Sequence, residues 1–326
     1  MSYTSIIGTG SYMPENIIDN DYISKFVETS DEWIKDRTGI INRRISNGED
    51  TSHLAIKAAQ NAIEMAKINP EDIGLIILGT ITPDTFTPSV SCLVQAAIGA
   101  TNATCFDISA ACSGFVYGLQ IADKFLLGSN MKYALVIGSE VMSKALDWED
   151  RNTCVIFADG AGAAILTKNE EHGIKSTFSG SSGDVKGSLV LPALQVKNII
   201  TNPEHRKSVI TMNGREIFKF AVQIMPKCIN AVLEEAKMTV EDIDYIVPHQ
   251  ANYRITESVA QKMEIPIEKF YMNLDQRGNT SSATIPIALD EMNRKGMLKK
   301  GQNIILVGFG GGLTWGSVLI NWQGNE

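Results

Sequence analysis

A cysteine, a histidine and an asparagine stand out in this sequence as residues that could act on a carbonyl group. Cys112 lies in Ala111-Cys112-Ser113-Gly114, where a short strand runs through small residues into a helix. Free N–H groups and the dipole at a helix N-terminus lower the pKa of a thiol and favour the nucleophilic thiolate. We therefore expect a nucleophile at Cys112, with a buried structural cysteine as the alternative. Cysteines inside apolar segments are expected to be structural, namely Cys92, Cys105, Cys154 and Cys228.

The histidine follows the end of a predicted strand, and the asparagine precedes the start of a predicted helix. His249 follows an apolar strand that begins at Ile243, and α/β folds place their sites at strand ends. A hydrogen bond within the core is an equally weighted reading of His249. Asn279 precedes Thr-Ser-Ser and a helix, so that ordinary N-cap use competes with a chemical role. The other three histidines, in polar surroundings, are expected to be solvated: His53, His172 and His205.

An internal repeat suggests how these residues meet. The segment 64–76 is echoed by 234–246, and the same shift along the chain carries strand 134–138 onto strand 304–308. We call this shift, which takes Glu64 to Glu234, the repeat offset. It also maps Cys112 onto Ser282 and Gly79 onto His249. A duplicated fold would gather such strand ends and helix starts around its pseudo-twofold axis.

The elements that must position the site alternate between helix and strand. Helices are predicted over 52–67 and 214–237, although Pro226 should kink or break the second. Continuous apolar strands between helices predict an α/β fold with mainly parallel sheets. We predict two duplicated βα halves, 1–170 carrying the cysteine and 171–326 carrying the histidine and asparagine. The seam is expected in the glycine-rich stretch 169–187, with a surface loop as the alternative.

Composition narrows the classes of function. The 326 residues are 44% hydrophobic and 20% charged, which is typical of a globular protein, and 29 basic against 37 acidic residues give a net charge of −8. Neither general nucleic-acid binding nor membrane binding is expected. We predict a cytoplasmic protein, because a signal peptide, a membrane-spanning run and a disulfide or zinc pattern are all missing from the sequence. The glycine-rich stretches do not complete a dinucleotide-binding motif, so an NAD site is rejected.

Six motifs in order resemble the β-ketoacyl-acyl-carrier-protein synthase III family, and the likeness covers essentially the whole chain. They are Asp31-Glu32-Trp33-Ile34 with Arg37-Thr38-Gly39-Ile40, Ala111-Cys112-Ser113-Gly114-Phe115, Asp159-Gly160-Ala161-Gly162-Ala163, His249-Gln250-Ala251-Asn252, Gly278-Asn279-Thr280-Ser281-Ser282-Ala283, and Gly310-Gly311-Gly312-Leu313-Thr314-Trp315-Gly316. The resemblance implies a thiolase-like fold with layers in the order α-β-α-β-α. It also implies an acyltransferase that starts fatty-acid synthesis without a cofactor or metal.

The resemblance further implies roles for the three candidate residues. Cys112, His249 and Asn279 would form the catalytic triad, and the backbone N–H groups of Cys112 and Gly311 the oxyanion hole. Cys112 would take an acyl group from acetyl-CoA or another acyl-CoA. Malonyl-acyl carrier protein would then lose CO₂, and its enolate needs neutral donors such as His Nε2 and the Asn amide. The enolate would attack the thioester to give a 3-oxoacyl carrier protein.

Binding residues follow from the same resemblance. The CoA site would comprise Trp33 and Arg151, which sandwich the adenine, and Arg37, Thr38, Gly214, Phe218, Ala251 and Asn252. Met142 and Phe157 would line the acyl pocket, which Phe86 would close from across a homodimer interface. A basic patch for the carrier protein would comprise Arg215, Lys219, Arg254 and Lys262. Plain structural readings compete with these roles, because Trp33 could anchor the helix opened by Ser30 and isolated charges are usually solvated.

Several alternatives are weighed against this function. A papain-like protease lacks support because its local cysteine signature is missing. Biosynthetic thiolase would need a second cysteine in the C-terminal glycine loop, which here reads Gly310-Gly311-Gly312, and hydroxymethylglutaryl-CoA synthase would need a catalytic glutamate near the nucleophile. The sequence meets neither requirement, so both enzymes are rejected. A catalytically inert partner subunit and a synthase with a branched or longer primer stay open, with acetyl-CoA as the expected primer.

Overall fold

A computed structural model describes residues 2–324, which form two large β-sheets separated and flanked by helices, with two further sheets of two short strands each. The strands are β1 (Tyr3–Tyr12), β2 (Ile17–Asp19), β3 (Asn42–Arg44), β4 (Ile73–Gly79), β5 (Thr104–Ile108), β6 (Tyr133–Val141), β7 (Asp159–Asn169), β8 (Gly173–Ser181), β9 (Leu189–Val190), β10 (Thr211–Met212), β11 (Tyr245–Pro248), β12 (Asn303–Gly310) and β13 (Thr314–Asn321). The helices are α1 (Asn20–Ile23), α2 (Asp31–Thr38), α3 (Thr51–Ala66), α4 (Val90–Ile98), α5 (Gly114–Leu127), α6 (Arg151–Cys154), α7 (Gly214–Ala236), α8 (Tyr253–Met263), α9 (Leu274–Arg277) and α10 (Thr284–Arg294).

Four strands of each large sheet follow the same order, and among the described residues β5 of the first sheet has no counterpart in the second. One runs β1-β7-β6-β4-β5, and the other runs β8-β13-β12-β11. The repeat offset carries β1, β4 and β6 onto β8, β11 and β12, while β13 takes the place of β7 with a shorter connection before it. Helices α5 and α10 lie between the sheets, α3 and α4 cover the first, and α7 and α8 cover the second. The predicted α-β-α-β-α layering is thereby confirmed.

Alternation along the strands builds separate cores on the two faces of each sheet. In β4, Leu75 and Ile77 point toward α5 and the central core, whereas Ile76 and Leu78 pack with α3 and α4. Residues on successive positions of a strand face opposite sides, so a strand buried on both faces reads as a continuous apolar run. The apolar run of β4 therefore buries a strand whose carboxyl end, at Gly79, lies near the candidate site.

Backbone conformation repeats along with the strands. Lys67 and Lys237, which the repeat offset relates, both end their helices in the left-handed region, with φ of 53° and 55°. Ala111 and Ser281 are a second such pair, with φ of 44° and 51°, and each opens a 3-10 turn before a central helix. The duplication therefore extends to the turns that carry the site.

Some predicted details were wrong. Both large sheets are mixed, whereas mainly parallel sheets were predicted. Strand β7 pairs antiparallel with β1 and β6, and β13 pairs antiparallel with β8 and β12. Strand β8 occupies Gly173–Ser181, so the alternative of a surface loop over 169–187 does not hold for those residues. We keep the division between residues 170 and 171 as a proposal, because β7 ends at Asn169 and β8 begins at Gly173.

Helix α7 continues through Pro226, so the predicted break does not occur. Proline has no N–H to donate to the carbonyl four residues earlier, which here belongs to Val222. The Lys262 ammonium on α8 donates to that oxygen at 3.5 Å. A partner from the neighbouring helix thus compensates for the hydrogen bond that Pro226 cannot make.

Candidate active site

Cys112 lies where the first half of the fold turns from strand into central helix. A 3-10 turn over Ala111–Ser113 connects β5 to α5, with Ala111 held in the left-handed region. The Cys112 side chain is 6% exposed. This places the sulfur at the predicted helix start, in a site largely closed to solvent.

The end of β12 comes directly against this cysteine. A Cβ added at Gly310 would lie 2.9 Å from the Cys112 Cβ and 3.1 Å from its Sγ, closer than two such atoms can approach. A Cβ at Gly311 would lie 3.6 Å from that of Ala111, so the next residue also borders the turn. Glycine at position 310 is therefore what gives the sulfur its room.

The thiol is held in its protonated form in this structure. Burial raises the pKa of the Cys112 thiol to about 12, the hydrogen bond to Ser281 offsets part of this rise, and the charge of Glu140 adds to it. The prediction of a lowered thiol pKa at the helix N-terminus is therefore wrong here. Desolvation outweighs the dipole because the sulfur is almost entirely removed from water.

His249 stands at the carboxyl end of β11, as predicted, and is 3% exposed. Its backbone N–H donates to Val307 O at 2.7 Å, and its ring meets the Phe309 ring edge-on with centroids 5.4 Å apart. The Nδ1 atom lies 2.7 Å from Thr284 Oγ1. Burial lowers the pKa of His249 to about 3, so the imidazole is neutral at pH 7.

Asn279 and Ser281 connect the histidine side to the cysteine side. The backbone N–H of Ser281 donates to Asn279 Oδ1 at 2.8 Å, and the Cys112 thiol faces Ser281 Oγ at 3.6 Å. Thr284 Oγ1 donates to Ser281 O at 3.0 Å. The predicted catalytic residues therefore belong to one buried network, joined through Ser281 and Thr284.

Family comparisons agree with this geometry. The family profile described as 3-oxoacyl-[acyl-carrier-protein] synthase III matches residues 106–183, and its C-terminal counterpart matches residues 233–322. The β-ketoacyl-[acyl-carrier-protein] synthase III of Clostridium acetobutylicum is 54% identical over 323 residues, which cover 99% of both chains. The chain belongs to the 3-oxoacyl-[acyl-carrier-protein] synthase III family. It is a condensing acyltransferase of fatty-acid initiation, as predicted.

Solved structures of related enzymes have the same fold as this chain. The synthase III of Aquifex aeolicus VF5 superposes with a TM-score of 0.91 at 45% identity, covering 98% of this chain and 100% of that one. The priming β-ketosynthase of the R1128 polyketide pathway gives a TM-score of 0.93 at 32% identity, covering 99% and 97%. The predicted thiolase-like fold is confirmed.

A cavity of about 630 Å³ opens beside Cys112. Its lining includes all three residues predicted for the acyl pocket, Phe86, Met142 and Phe157, together with Gly311 and Ser281. Met142 and Phe157 are buried, whereas Phe86 is 70% exposed. Met142 and Phe157 thus share one cavity with the nucleophile, whereas Phe86, which is predicted to close the pocket of a second copy, borders the cavity of its own chain.

The residues predicted for CoA form two groups outside that cavity. Trp33 and Arg151 stack on each other, and Asn252 Nδ2 donates to Arg37 O at 2.9 Å beside Ala251. Thr38 is buried, with Oγ1 donating to Ile34 O and accepting from Ile40 N, so its hydroxyl secures the end of α2. The second group, at the exposed start of α7, consists of Gly214 and Phe218.

Two of the predicted carrier-protein residues have acidic partners. Lys219 pairs with Glu216 at 3.0 Å, and Arg254 pairs with Asp36 at 2.9 Å. Lys262 is exposed and its amine contacts the Val222 carbonyl, while Arg215 is exposed in the first turn of α7. These cations are partly committed to contacts within the chain.

A buried carboxylate near the nucleophile escaped the sequence analysis. Glu140, at the end of β6, accepts hydrogen bonds from Thr80 Oγ1 at 3.0 Å, Thr82 Oγ1 at 2.5 Å and Ser281 Oγ at 3.1 Å. Burial raises its pKa. The repeat offset maps Glu140 onto Gly310. The Glu140 carboxylate therefore occupies, in the first half, the space that corresponds to the one Gly310 leaves open for Cys112 in the second half.

The remaining observations concern the other three histidines, membrane-spanning helices and metal sites. His53 and His205 are exposed as predicted, but His172 is half-buried with Nδ1 2.5 Å from Asn321 Oδ1, because the β8 and β13 ends enclose it. Within residues 2–324, no helix is both long and apolar enough to cross a bilayer. The same residues hold no group of three or more His, Cys, Asp or Glu side chains arranged to hold a metal ion.

Proposed function

We propose that Cys112 takes an acyl group from acyl-CoA as a thioester and that malonyl-acyl carrier protein is the second substrate. Loss of CO₂ from the malonyl group gives an enolate, which attacks the thioester carbon and releases 3-oxoacyl carrier protein. The observation that carries this assignment is the buried network in which the Cys112 thiol, Asn279 and His249 are joined through Ser281 and Thr284. Its members next to the reacting groups are neutral, which suits a developing negative charge.

The backbone N–H groups of Cys112 and Gly311 are the proposed oxyanion hole. Support comes from the neighbouring Gly310, where a Cβ would lie 2.9 Å from that of Cys112, so the end of β12 that carries Gly311 reaches the turn at Cys112. Backbone donors held in place before the reaction stabilise a tetrahedral oxyanion without reorganising. Removing one such donor typically costs about 10²- to 10³-fold in kcat.

Acetyl-CoA is the proposed primer. Met142 and Phe157 close one side of the cavity, and Phe86 of a second copy would occupy more of its volume. A branched or longer primer is the second candidate, because about 630 Å³ exceeds what an acetyl group needs and the chain resembles a priming β-ketosynthase of a polyketide pathway. Initial rates with acetyl-, isobutyryl- and octanoyl-CoA, each with malonyl-acyl carrier protein, decide between them.

The proposed CoA path runs over Trp33, Arg37, Thr38, Arg151, Gly214, Phe218, Ala251 and Asn252. The proposed docking patch for the carrier protein comprises Arg215, Lys219, Arg254 and Lys262. All four cations lie on α7 or α8, and a chain of net charge −8 needs such a local patch to attract an acidic partner. No cofactor is proposed, and five free cysteines support the cytoplasm as the compartment.

A homodimer is the proposed assembly. Strand β5 is the last strand of its sheet, and its outer edge pairs with no other strand among the described residues. An open edge of this kind can accept a strand from a second copy, which would also cover Phe86. Light scattering should give twice the mass of the chain, and a fully active monomer would contradict the proposal.

Intact-mass measurement tests the proposed reaction. After incubation with acetyl-CoA, each chain should gain one acetyl group, and malonyl-acyl carrier protein should then remove it as 3-oxobutyryl carrier protein. An inert partner subunit would gain no acetyl group. A chain that acquires the acetyl group but cannot pass it to the malonyl carrier protein would have a different second substrate.

A further inference from the structure

Thr314 contacts both backbone segments that carry the proposed oxyanion hole. It is the first residue of β13, and Gly311 lies in the hairpin loop, residues 311–313, that joins β12 to β13. The Thr314 Oγ1 atom lies 3.0 Å from Gly311 O. The same atom lies 3.0 Å from the carbonyl oxygen of Ala110, which precedes the cysteine turn, Ala111–Ser113. One hydroxyl thus connects the hairpin loop to the cysteine turn.

The Thr314 hydroxyl can only donate to these two carbonyl groups. A carbonyl oxygen has no proton, so both contacts use the single Thr314 proton in a three-centre hydrogen bond. Ala110 O also accepts from Ser113 N at 3.0 Å, the bond that closes the cysteine turn. Ser113 Oγ lies 3.2 Å from Thr314 Oγ1. The hydroxyl is therefore bonded to the backbone on both sides of the proposed hole.

Backbone hydrogen bonds hold the other two residues of the hairpin loop. Leu313 exchanges two bonds with Ser182, of 2.6 and 2.9 Å, and Gly312 O accepts from Asp184 N at 2.9 Å. Both partners come directly after β8 in the chain. The hairpin loop is therefore attached to the segment after β8 by its backbone, and to the cysteine turn through the Thr314 side chain.

We propose that Thr314 is a positioning residue that sets the distance between the N–H groups of Cys112 and Gly311, so that both donate to one oxygen of the reacting thioester. The proposal rests on the oxyanion hole proposed above. Two backbone donors stabilise an oxyanion best when both already point to the place where it forms. Misplacement of a reacting group by about 1 Å can cost about 10²-fold in rate. A hydroxyl that joins the two segments acts directly on this distance.

The oxyanion arises when the Cys112 sulfur bonds to the acyl carbon of acyl-CoA. One electron pair of the C=O double bond moves to the oxygen, which takes the negative charge. When the double bond re-forms, the bond from that carbon to the CoA sulfur breaks, and the proton lost by Cys112 ends on the CoA thiol. Thr314 exchanges no proton in this step, and its bonds to the two carbonyl groups persist.

Alkylation by iodoacetamide is a reaction of the same sulfur that forms no oxyanion. The Cys112 sulfur displaces iodide from a CH₂ carbon, and the carbonyl group of the reagent stays intact. A change that merely disturbed the packing or ionisation of the cysteine would alter both alkylation and acetyl transfer. Loss of the oxyanion-hole geometry would alter acetyl transfer alone. Mass spectrometry of the digested protein assigns the alkylation to Cys112.

Variants of Thr314 separate the hydroxyl from the shape of the side chain. Thr314→Val keeps the shape and removes the hydroxyl, whereas Thr314→Ser keeps the hydroxyl. We expect Thr314→Val to slow acetyl transfer at saturating acetyl-CoA by about tenfold or more, because the two donors are no longer held together. Its alkylation rate should stay near the wild-type value, and Thr314→Ser should restore acetyl transfer.

Thr167→Val is the matched control. It removes a threonine hydroxyl that donates to Lys132 O at 2.9 Å on β7, and neither residue lines the cavity beside Cys112. It should keep the wild-type rate of acetyl transfer. Thermal unfolding verifies that each variant folds. If Thr314→Val does not fold, Thr314→Ala, which also lacks the hydroxyl and adds no bulk, takes its place.

The infrared band of the thioester carbonyl reports on the hole without turnover. Hydrogen bonds to a carbonyl oxygen lower its stretching frequency. The acetyl-enzyme of Thr314→Val, prepared with ¹³C-labelled acetyl-CoA, should therefore absorb at a higher frequency than wild type, and that of Thr314→Ser at the wild-type frequency. An unchanged frequency or acetyl-transfer rate in folded Thr314→Val, or a matching loss of alkylation, overturns the proposal. Failure of wild type to accept acetyl would overturn the proposed function, and the role of Thr314 with it.

Discussion

The guanidinium of Arg151 lies over the indole ring of Trp33, 4.7 Å from the ring centroid. Arg151 is further held by a hydrogen bond of 3.0 Å from Nη1 to Glu28 O. Both residues are proposed to grip the CoA adenine between them. A ring stacked on both would need about 7 Å between them, since each contact takes about 3.5 Å. If the adenine binds between them, the pair must separate when CoA binds.

We predict that Trp33→Ala and Arg151→Ala each raise the KM for acetyl-CoA, because either change removes one stacking surface. The KM for malonyl-acyl carrier protein should change little. Tryptophan fluorescence should also respond to CoA in wild type as the cation leaves the indole, and not in Trp33→Ala. An unchanged KM in both variants would place the adenine elsewhere.

Cys112→Ala should abolish formation of the acetyl-enzyme while leaving the fold intact. The other four cysteines lie in α4, β5, α6 and α7, and none of them lines the cavity beside Cys112, so none can replace the nucleophile. Intact mass after incubation with acetyl-CoA measures the loss, and thermal unfolding measures the fold. Cys228→Ala, a matched change of another buried cysteine, should retain one acetyl group per chain. Acetylation of Cys112→Ala would contradict the assignment.

Asn279→Ala should spare acetyl transfer and impair decarboxylation. Its amide is proposed to stabilise the enolate, and loss of one such donor costs about 10²-fold or more. Release of ¹⁴CO₂ from labelled malonyl-acyl carrier protein, measured apart from acetyl transfer, separates the steps. His249→Ala should likewise impair decarboxylation more than acetyl transfer. Equal loss of both steps in Asn279→Ala would mean that this residue acts through Ser281, whose backbone N–H it accepts.

The internal repeat in the sequence was sufficient to predict where the site lies in the fold. The repeat offset, found by aligning segments 64–76 and 234–246, also relates the left-handed residues Lys67 and Lys237, and Ala111 and Ser281. Strand ends and helix starts follow from apolar runs and small residues, so the places of Cys112, His249 and Asn279 could be predicted. Their chemistry needed the family resemblance, because each residue alone had an ordinary structural reading.

Properties that depend on packing between distant segments could not be predicted. The raised pKa of the Cys112 thiol comes from burial that only the folded chain creates. Glu140 sits in an apolar strand pattern, and its hydrogen-bond donors come from both halves. Pro226 keeps its helix because Lys262, on another helix, supplies a donor. None of these contacts can be predicted from the hydrophobic periodicity of the sequence.

The stability of the protein should fall on acidification through His249. Its pKa drops from 6.5 to about 3 on folding, so between these values the unfolded chain binds one more proton than the folded chain. Stability therefore rises with pH in this window and is lost as pH falls, by about 1.4 kcal/mol per pH unit from this group. Urea unfolding at pH 6, 5 and 4 should show a shallower decline for His249→Gln. Parallel declines would indicate that His249 is protonated in the folded protein.

Lys219→Glu should raise the KM for malonyl-acyl carrier protein, mainly by slowing association. Lys219 projects from the start of α7 and is held by Glu216 at 3.0 Å, so reversing its charge leaves two adjacent carboxylates where an acidic partner is proposed to dock. Electrostatic steering acts on the association rate, and salt screens it over about 10 Å at 0.1 M. The difference from wild type should therefore shrink as salt is added.

Lys300→Glu is the matched control for that experiment, since it makes the same charge change beside the start of β12, whereas the other end of this strand meets Cys112. It should leave the KM for the carrier protein near the wild-type value, because one distant charge is screened. Acetyl transfer from acetyl-CoA should suffer less than carrier-protein binding in Lys219→Glu. Equal loss with both substrates in Lys219→Glu would mean that Lys219 supports the CoA site or the fold. An equal rise in the KM for the carrier protein in Lys300→Glu would mean that the effect comes from the net charge of the chain and not from a docking patch.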